Sequence, residues 1–287
     1  MPQIGRLPIG ETTIDLHTFD SAVERIATMA GTGVRLVVTP NLDHLVRLRK
    51  DEDFRAIYAE ADLVIGDGTI ISWLAKLAGQ SLPDVLTGVD VFDRLCKAER
   101  PRRLRVFLLG GREDSNAAAT RVLSQDPYTV DIVGSFSGMV DADAQDSQLL
   151  AMLHEAQPDV VAVCLGSPKQ EKWVMTNRDL LPSAVYLGLG ATLGFLGGTS
   201  PRAPRWMQRA GLEWVHRLLS DPKRLWKRYA VDAVALPALV LQALTRRFIK
   251  GSRPIEVVGS DAVITLPTQY IPASTPLLDA VPDEAAS

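Results

Sequence analysis

Cysteine and histidine are scarce in this sequence, which contains two Cys and four His among 287 residues. The two cysteines lie far apart, and Cys164 is inside the apolar run VVAVCLG, so we expect buried free thiols and not a disulfide or zinc framework. The histidines have no metal-ligand spacing, and no Ser-His-Asp or Cys-His nucleophile signature is present. These absences argue against zinc enzymes and covalent hydrolases, and favour a reduced, cytoplasmic protein.

Long apolar runs are also missing. The N-terminus, MPQIGRLPIGETTIDLHTF, lacks a charged start followed by an apolar segment, so no signal peptide is expected. The run VDAVALPALVLQAL has about 14 residues and contains Asp232, Pro237 and Gln242, whereas a membrane-spanning helix requires about 20 apolar residues. We expect this run to form an amphipathic helix that lies on a membrane surface or packs on a second subunit.

Charge is present but unevenly distributed. The net charge is −3, yet the segment from Arg202 to Arg253 has twelve Lys or Arg residues and three acids, which gives twelve minus three, or +9, and leaves −12 for the remainder. This segment is expected to face an anionic partner such as nucleic acid, anionic lipid or a phosphorylated ligand. Its arginines lie among tryptophans and not on an evident recognition helix, so we expect that the partner is not a nucleic acid.

Short β-branched runs alternate with helical patterns such as DHLVRLRKDEDFRAIYAEA and GTIISWLAKLAG. The predicted strands lie within residues 34–40, 61–67, 105–111, 129–135, 159–166 and 184–190. The alternation predicts an α/β fold with a Rossmann-like, doubly wound, mostly parallel sheet whose strand carboxyl ends share one edge. We expect an α/β core at residues 1–200, a basic, Trp-containing helical appendage at 201–252, and a Pro-rich acidic tail, partly disordered, at 253–287, where EVVGSDAVITL is compatible with a hairpin.

Asp67 follows the second predicted strand and has a glycine on each side, Gly66 and Gly68. Glycine permits φ > 0 and close approach of a ligand, and the start of the next helix can bind anions. The Asp67 carboxylate could accept a proton, bind a sugar hydroxyl or cap that helix. The sequence around Asp67 does not decide between a helix cap and a functional carboxylate, although the two glycines favour a functional role.

Other strand ends carry further candidates: Thr39 and Asn41 in TPNLDH, Gly110 and Gly111 in LGGREDSN, and Lys169 and Gln170 in SPKQEKW. A turn with a helix cap is an alternative explanation for TPNLDH, and a solvated first helical turn for SPKQEKW. The glycine loops resemble phosphate-cradling loops, but none matches G-x-G-x-x-G with an acidic residue about 20 positions later. A dinucleotide site is therefore weakly supported.

The pattern Asp141-Ala142-Asp143 matches a D-x-D motif that binds a metal-nucleotide in some sugar transferases. It directly precedes a helical pattern, and nothing nearby supplies further oxygen ligands for a hard metal. We interpret it as turn and cap chemistry, and we expect a site with no metal and no cofactor.

Two basic helices are predicted near the C-terminus. Asp221-Pro222 suggests an N-cap followed by proline at the first helical position, so one helix should end near Leu219 and another should begin there. The candidate substrate-binding arginines are Arg217 on the first helix and Arg224 and Arg228 on one face of the second. With Trp206, Trp214 and Trp226, these residues suit an anionic membrane surface, although a solvated basic helix pair remains the alternative.

Taken in order, five segments resemble the WecG/TagA/CpsF family of bacterial glycosyltransferases over about residues 5–230. They are TPNLDHLVRLRKDEDFRAIYAEADLVIGDG, LTGVDVFDRL, VFLLGG, VVAVCLGSPKQEKW and GLGATLGFLGGTSPRAPRWMQRAGLEWVHRLLSDPKRLWKRY. The resemblance implies an inverting transferase that moves a sugar, of the N-acetylmannosamine or glucose type, from a UDP-sugar donor. The implied acceptor is a sugar on undecaprenyl diphosphate at the cytoplasmic membrane face, in bacterial cell-surface or exopolysaccharide synthesis.

The resemblance also implies roles for particular residues. It makes Asp67 the catalytic base, includes Thr39, Asn41 and Gln170 in the site, and has Arg217 and Arg224 assist catalysis from an appendage that closes over the site. Inverting transfer does need a carboxylate that takes the acceptor proton, and the leaving diphosphate needs basic groups or helix N-termini to stabilise it. Relatives form oligomers, so a homo-oligomer is possible.

Two positions depart from the family pattern. Val85 stands where many relatives have arginine near the diphosphate, and Gly194 stands where many have an acid. Either the donor or acceptor sugar differs from the commonest one, or activity is reduced, and a catalytically silent partner protein that binds lipid-linked sugar is an alternative. A second alternative, from another class, is a Rossmann-type oxidoreductase that uses the glycine loops for a nicotinamide cofactor.

Overall fold

The structure, a computed structural model, describes residues 5–250, 256–258 and 263–265. At Arg205, Arg209, Arg224, Ile249 and Lys250, and in the last two segments, it describes the backbone only. The tail expected at residues 253–287 therefore lies largely outside the described part.

The strands are β1 (Arg6–Ile9), β2 (Thr12–Asp15), β3 (Arg35–Val38), β4 (Leu63–Val64), β5 (Leu104–Gly110), β6 (Val130–Phe136), β7 (Val160–Cys164), β8 (Val185–Gly188), β9 (Glu256–Val258) and β10 (Val263–Thr265). Strands β3 to β8 form one parallel sheet in the order β4-β3-β8-β7-β5-β6. This confirms the predicted Rossmann-like sheet. The β9–β10 hairpin falls in EVVGSDAVITL, as expected, whereas the short β1–β2 hairpin is absent from the sequence prediction.

The helices are α1 (Phe19–Met29), α2 (Leu42–Leu48), α3 (Glu52–Ala59), α4 (Thr69–Leu77), α5 (Gly88–Lys97), α6 (Glu113–Leu123), α7 (Ser147–Ala156), α8 (Lys169–Thr176), α9 (Thr192–Leu196), α10 (Arg205–Arg209), α11 (Glu213–Ser220) and α12 (Pro222–Lys250). Helices α2 and α3 divide what the sequence presents as one helical pattern. The break occurs because the Asp51 side chain accepts a hydrogen bond from the Phe54 N–H at 2.9 Å, an N-cap that starts a new helix.

Helices cover both faces of the sheet. Along β7, Val161 and Val163 belong to one buried cluster, while Val160, Ala162 and Cys164 belong to the cluster on the other face. Burial on both faces is typical of parallel strands and explains their continuous apolar sequences. Polar side chains are consequently found at the strand ends.

The C-terminal helix is longer than the sequence predicted. Helix α11 ends at Ser220 and α12 begins at Pro222, as expected, but α12 continues through the whole apolar run, with Pro237 inside it. Its stretch Leu225–Phe248 has 24 residues and contains an 18-residue window with a mean hydropathy of 1.2, enough by length and composition alone to cross a membrane. The expectation that the run is too short to span is thus corrected, because the run continues the basic helix before it.

One face of α12 packs on the α/β core. Leu239 and Ala243 are buried there, and a Cβ at Gly10 would contact Leu239 at 3.5 Å. The Arg246 guanidinium donates to the Gly10 carbonyl at 3.0 Å, between α12 and the β1–β2 turn. These contacts hold the helix along the protein surface.

Candidate active site

The predicted site residues follow neighbouring strands. Thr39 follows β3, Asp67 follows β4, Gly110 ends β5, and Lys169 and Gln170 open α8 after β7. Because β4, β3, β8, β7 and β5 are successive neighbours in the sheet, their carboxyl ends lie along one edge, as expected.

Asp67 does not cap the helix that follows it. The N-cap position of α4 is Gly68, which has φ +90° and no side-chain cap bond. The Asp67 Oδ1 atom instead accepts from the Gly88 N–H at 3.2 Å, at the start of α5. The two glycines have structural reasons, since a Cβ at Gly66 would lie 2.7 Å from Ile71 Cγ2 and the φ of Gly68 suits only glycine.

The electrostatic surroundings of Asp67 suit proton transfer. Burial of the carboxyl raises its pKa to about 6, while Arg217 lowers it, Glu213 raises it, and hydrogen bonds from Gly88 and Asn41 lower it. The residue nevertheless retains partial solvent exposure. A partly accessible carboxyl group with a pKa near neutrality can exchange a proton with a bound hydroxyl.

Thr39 and Asn41 differ in what they contact. The buried Thr39 hydroxyl donates to the Gly188 carbonyl at 2.8 Å and so joins the ends of β3 and β8. Asn41 is the N-cap of α2, where Oδ1 accepts from the His44 N–H at 3.4 Å, and its side chain also lowers the pKa of Asp67. Asn41 therefore belongs to the immediate surroundings of the candidate base.

Gln170 is 2% exposed and uses both of its amide atoms within the protein. Oε1 accepts from the Gly190 N–H at 3.0 Å, and Nε2 donates to Glu171 Oε1 at 2.9 Å. These bonds fix the loop after β8. Lys169 is partly exposed at the first position of α8, and burial raises the pKa of Glu171, the next residue of the same SPKQEKW motif.

Gly110 and Gly111 have φ values of +92° and +74°. A Cβ at Gly110 would lie 2.7 Å from the Cys164 carbonyl oxygen, and the Gly111 N–H donates to that same oxygen at 2.9 Å. At Gly110 glycine is therefore required by packing between the ends of β5 and β7, while Gly111 is exposed at the edge.

The C-terminal arginines have different surroundings. Arg217 pairs with Glu213 Oε1 at 2.9 Å, and its guanidinium lies 5.1 Å from the centre of the Phe195 ring. Arg228 pairs with Asp43 at 3.3 Å and so joins α12 to α2. The Arg224 side chain is outside the described part of the structure. Of the two that are described, Arg217 is the one that acts electrostatically on Asp67.

Arg202 is a charged residue near the site that the sequence analysis did not select. Its two Nη atoms contact the two Asp90 carboxylate oxygens at 2.6 and 2.7 Å. Asp67 and Glu213 both contribute to raising the pKa of Arg202. Arg202 lies in SPRAPRW, which is part of one of the segments that resemble the family, so the resemblance could have identified it.

The two departures from the family pattern have distinct surroundings. Val85 is 45% exposed. At Gly194 a Cβ would lie 2.8 Å from Ser200 Oγ, so a carboxylate side chain there would require Ser200 to move.

The D-x-D sequence behaves as a turn. Asp141 Oδ1 accepts from the Asp143 N–H at 3.0 Å, and Asp146 caps α7. Among the described residues, no three His, Cys, Asp or Glu side chains are grouped so that they could hold a metal ion.

Comparison with known proteins adds independent information. A profile of the glycosyl transferase WecG/TagA/CpsF family matches residues 7–251. The chain is also 34% identical over 180 residues to the N-acetylglucosaminyldiphosphoundecaprenol N-acetyl-β-D-mannosaminyltransferase of Bacillus subtilis (strain 168), and the aligned region covers 62% of this chain and 68% of that protein.

Proposed function

Because the chain belongs to the WecG/TagA/CpsF family of glycosyl transferases, we propose that it moves a hexose from a UDP-sugar to a sugar on undecaprenyl diphosphate, with inversion. The Bacillus relative is named as a transferase of N-acetylmannosamine to a lipid-diphosphate-linked N-acetylglucosamine. For this chain the donor is of the N-acetylmannosamine or glucose type.

The observation that carries this proposal is the position of Asp67 at the carboxyl edge of the sheet, where it is partly exposed and within electrostatic reach of Arg217. In the ionised form, its carboxylate takes the proton of the acceptor hydroxyl. The hydroxyl oxygen then forms the new bond to the anomeric carbon as the bond to UDP breaks. UDP leaves from the opposite face with the bonding electron pair, which inverts the configuration.

Basic side chains would stabilise the leaving diphosphate. Arg217 and Lys169 lie on elements at the same edge of the sheet, and Arg202 is close enough to interact with Asp67. Fixed cations in a partly buried site stabilise developing negative charge more strongly than they would in water. We therefore propose a reaction that requires no cofactor and no metal.

The outer face of α12 would lie on the anionic inner surface of the plasma membrane. Exposed apolar side chains follow this face: Val231, Val234, Leu241 and Phe248. Lys223 and Lys227 are exposed near its start and Arg247 near its end. To span the membrane, α12 would have to leave the α/β core on which its opposite face packs, and this supports a peripheral protein on the cytoplasmic side.

Residues 201–252 would thus act as the appendage that brings the site to the lipid-borne acceptor. Trp206, Trp214 and Trp226 are exposed in this segment, as suits side chains at headgroup level. A homo-oligomer remains part of the proposal, carried by the family resemblance.

The test is to incubate purified protein with a panel of UDP-sugars and a synthetic lipid-diphosphate acceptor, and to measure UDP release and product mass. UDP release with a mass-shifted lipid supports transfer. Ligand binding without turnover would instead identify a silent lipid-sugar binding protein, which the changes at Val85 and Gly194 favour. An absorbance change that depends on NAD would indicate an oxidoreductase.

A further inference from the structure

Helix α11 is anchored beside the strand end that carries Asp67. The Thr69 hydroxyl, at the start of α4, donates to the Gln208 carbonyl at 3.3 Å. Gly211 has φ +72°, and a Cβ there would lie 3.1 Å from both Thr69 and Trp73. The turn into α11 therefore packs directly on the first turns of the helix that follows Asp67.

Arg217 is held from two sides on this helix. Glu213, one turn earlier, pairs with its Nη2 atom, and the Phe195 ring lies against its guanidinium. The side chains of Arg217 and Glu213 are 33% and 24% exposed. An exposed pair of this spacing contributes little to stability, but this pair is partly buried and both members act on Asp67.

The charged and titratable groups that face Asp67 come from several elements. Arg217 and Glu213 come from α11, Arg202 precedes α10, and Tyr58 comes from α3. Arg202 is bound through both Nη atoms to Asp90. The Arg217 guanidinium is instead held by an ion pair with Glu213, next to the Phe195 ring.

We propose that Glu213 is a positioning residue of the transfer reaction, which holds the Arg217 guanidinium where it acts electrostatically on Asp67, while the turn into α11 packs on α4. This rests on the function proposed above. A guanidinium so placed favours the ionised form of the base and adds positive charge where the diphosphate leaves.

If Glu213 positions Arg217, its substitution should shift the pKa of Asp67 in one direction; if Glu213 acts only as a neighbouring charge, the shift should be in the other. The carboxylate of Glu213 by itself raises the pKa of Asp67, whereas Arg217 lowers that pKa by a larger effect. If Glu213→Gln removes only a charge, the pKa of Asp67 should fall. If the substitution releases the guanidinium, the larger effect of Arg217 is lost and the pKa of Asp67 should rise.

The experiment follows the carboxyl carbon of Asp67 by NMR in protein labelled with ¹³C-aspartate, with Asp67→Asn to assign the signal. We expect Glu213→Gln to raise the titration midpoint by about half a pH unit or more. Arg217→Gln should give a larger rise, because the Glu213 carboxylate remains and raises the pKa further, and the double variant should have the same midpoint as Glu213→Gln. The matched control is Glu52→Gln, which breaks an intrahelical ion pair with Arg55 on α3 and should leave the midpoint unchanged.

The second measurement is kcat/KM for sugar transfer as a function of pH. In Glu213→Gln we expect kcat/KM to fall at least about tenfold, while the midpoint of thermal unfolding stays unchanged. A downward or absent shift of the Asp67 midpoint overturns the positioning role, even where the wild type transfers sugar. If Glu213→Gln raises the Asp67 midpoint but the wild-type protein transfers no sugar, the contact between Glu213 and Arg217 stands. Its role in a transfer reaction is then overturned, and so is the proposed function.

Discussion

Asp67 is the proposed catalytic base, and its surroundings explain how one aspartate could act as a base near neutral pH. Burial raises its pKa, and Arg217, Gly88 and Asn41 counteract that rise by favouring the ionised form. The balance leaves the group titrating at about pH 6. A free aspartate would be ionised but a poorer proton acceptor.

Asp67→Asn should lose turnover by about 10²- to 10⁴-fold, because the amide cannot take the acceptor proton. The fold should persist, since the amide oxygen can still accept from the Gly88 N–H. Turnover by UDP release, with circular dichroism as the fold control, is the measurement. Full activity in this variant would exclude the base role.

The pKa of Asp67 also predicts pH dependence. The acid limb of kcat/KM should have a midpoint near pH 6, with activity rising as Asp67 ionises. Stability should change in the opposite direction. Because the folded-state pKa is raised, the native state binds this proton more tightly than the unfolded chain, and the resulting stability is present at acidic pH and lost as pH rises through about 6.

At pH 8, Asp67→Asn should therefore be more stable than the wild type, by about 1–2 kcal/mol after allowance for partial exposure. Urea unfolding at pH 4 and pH 8 measures the difference. Equal stability of the two proteins at pH 8 would show that ionisation of Asp67 does not destabilise the native state.

Among the elements, the contact between the ends of β5 and β7 shapes the edge of the sheet. Gly110→Ala should cost about 2–4 kcal/mol, since the new Cβ meets the Cys164 carbonyl and the φ is unfavourable. Gly166→Ala is the matched control: it also has positive φ, at +78°, but nothing lies within 4 Å of its Cβ position. It should cost only about 1 kcal/mol in urea unfolding, and equal costs would argue against the close contact.

Helix α12 has two faces with different expected roles. Leu239 is 2% exposed and packs on the core, whereas Phe248 and Val234 are each 82% exposed. Leu239→Ala should cost about 2–5 kcal/mol in unfolding free energy. The double variant Val234→Ser/Phe248→Ser should leave stability nearly unchanged and weaken binding to liposomes.

For the whole molecule, charge separation predicts how the protein reaches its acceptor. The basic C-terminal quarter should bind anionic liposomes at low salt, and binding should weaken as salt rises because screening shortens the range of electrostatic attraction. Flotation at several salt concentrations is the measurement. Absence of binding at low salt, or binding that salt does not affect, would contradict an electrostatic contribution.

The sequence was sufficient to predict all six strands of the parallel sheet and the start of α12, because buried strands and helix caps leave local patterns. Thr87, the N-cap of α5, was equally readable but was not recognised as the start of a helix. The length of α12 was underestimated because the apolar run was counted separately from the basic segment before it, whereas one helix contains both. Asp232 lies within the continuous helix and is buried on the face that packs on the core.

What the sequence determined by itself was the alternation of strands and helices, and with it the edge where Asp67, Thr39 and Gln170 would lie. Periodicity and caps are local properties, so they can be read without coordinates. Tertiary structure alone decided that Gln170 serves the loop after β8, that Arg202 pairs with Asp90, and that Glu213 and Arg217 act on Asp67. These relations join residues far apart in the chain, and burial and Coulomb interactions depend on distance in space.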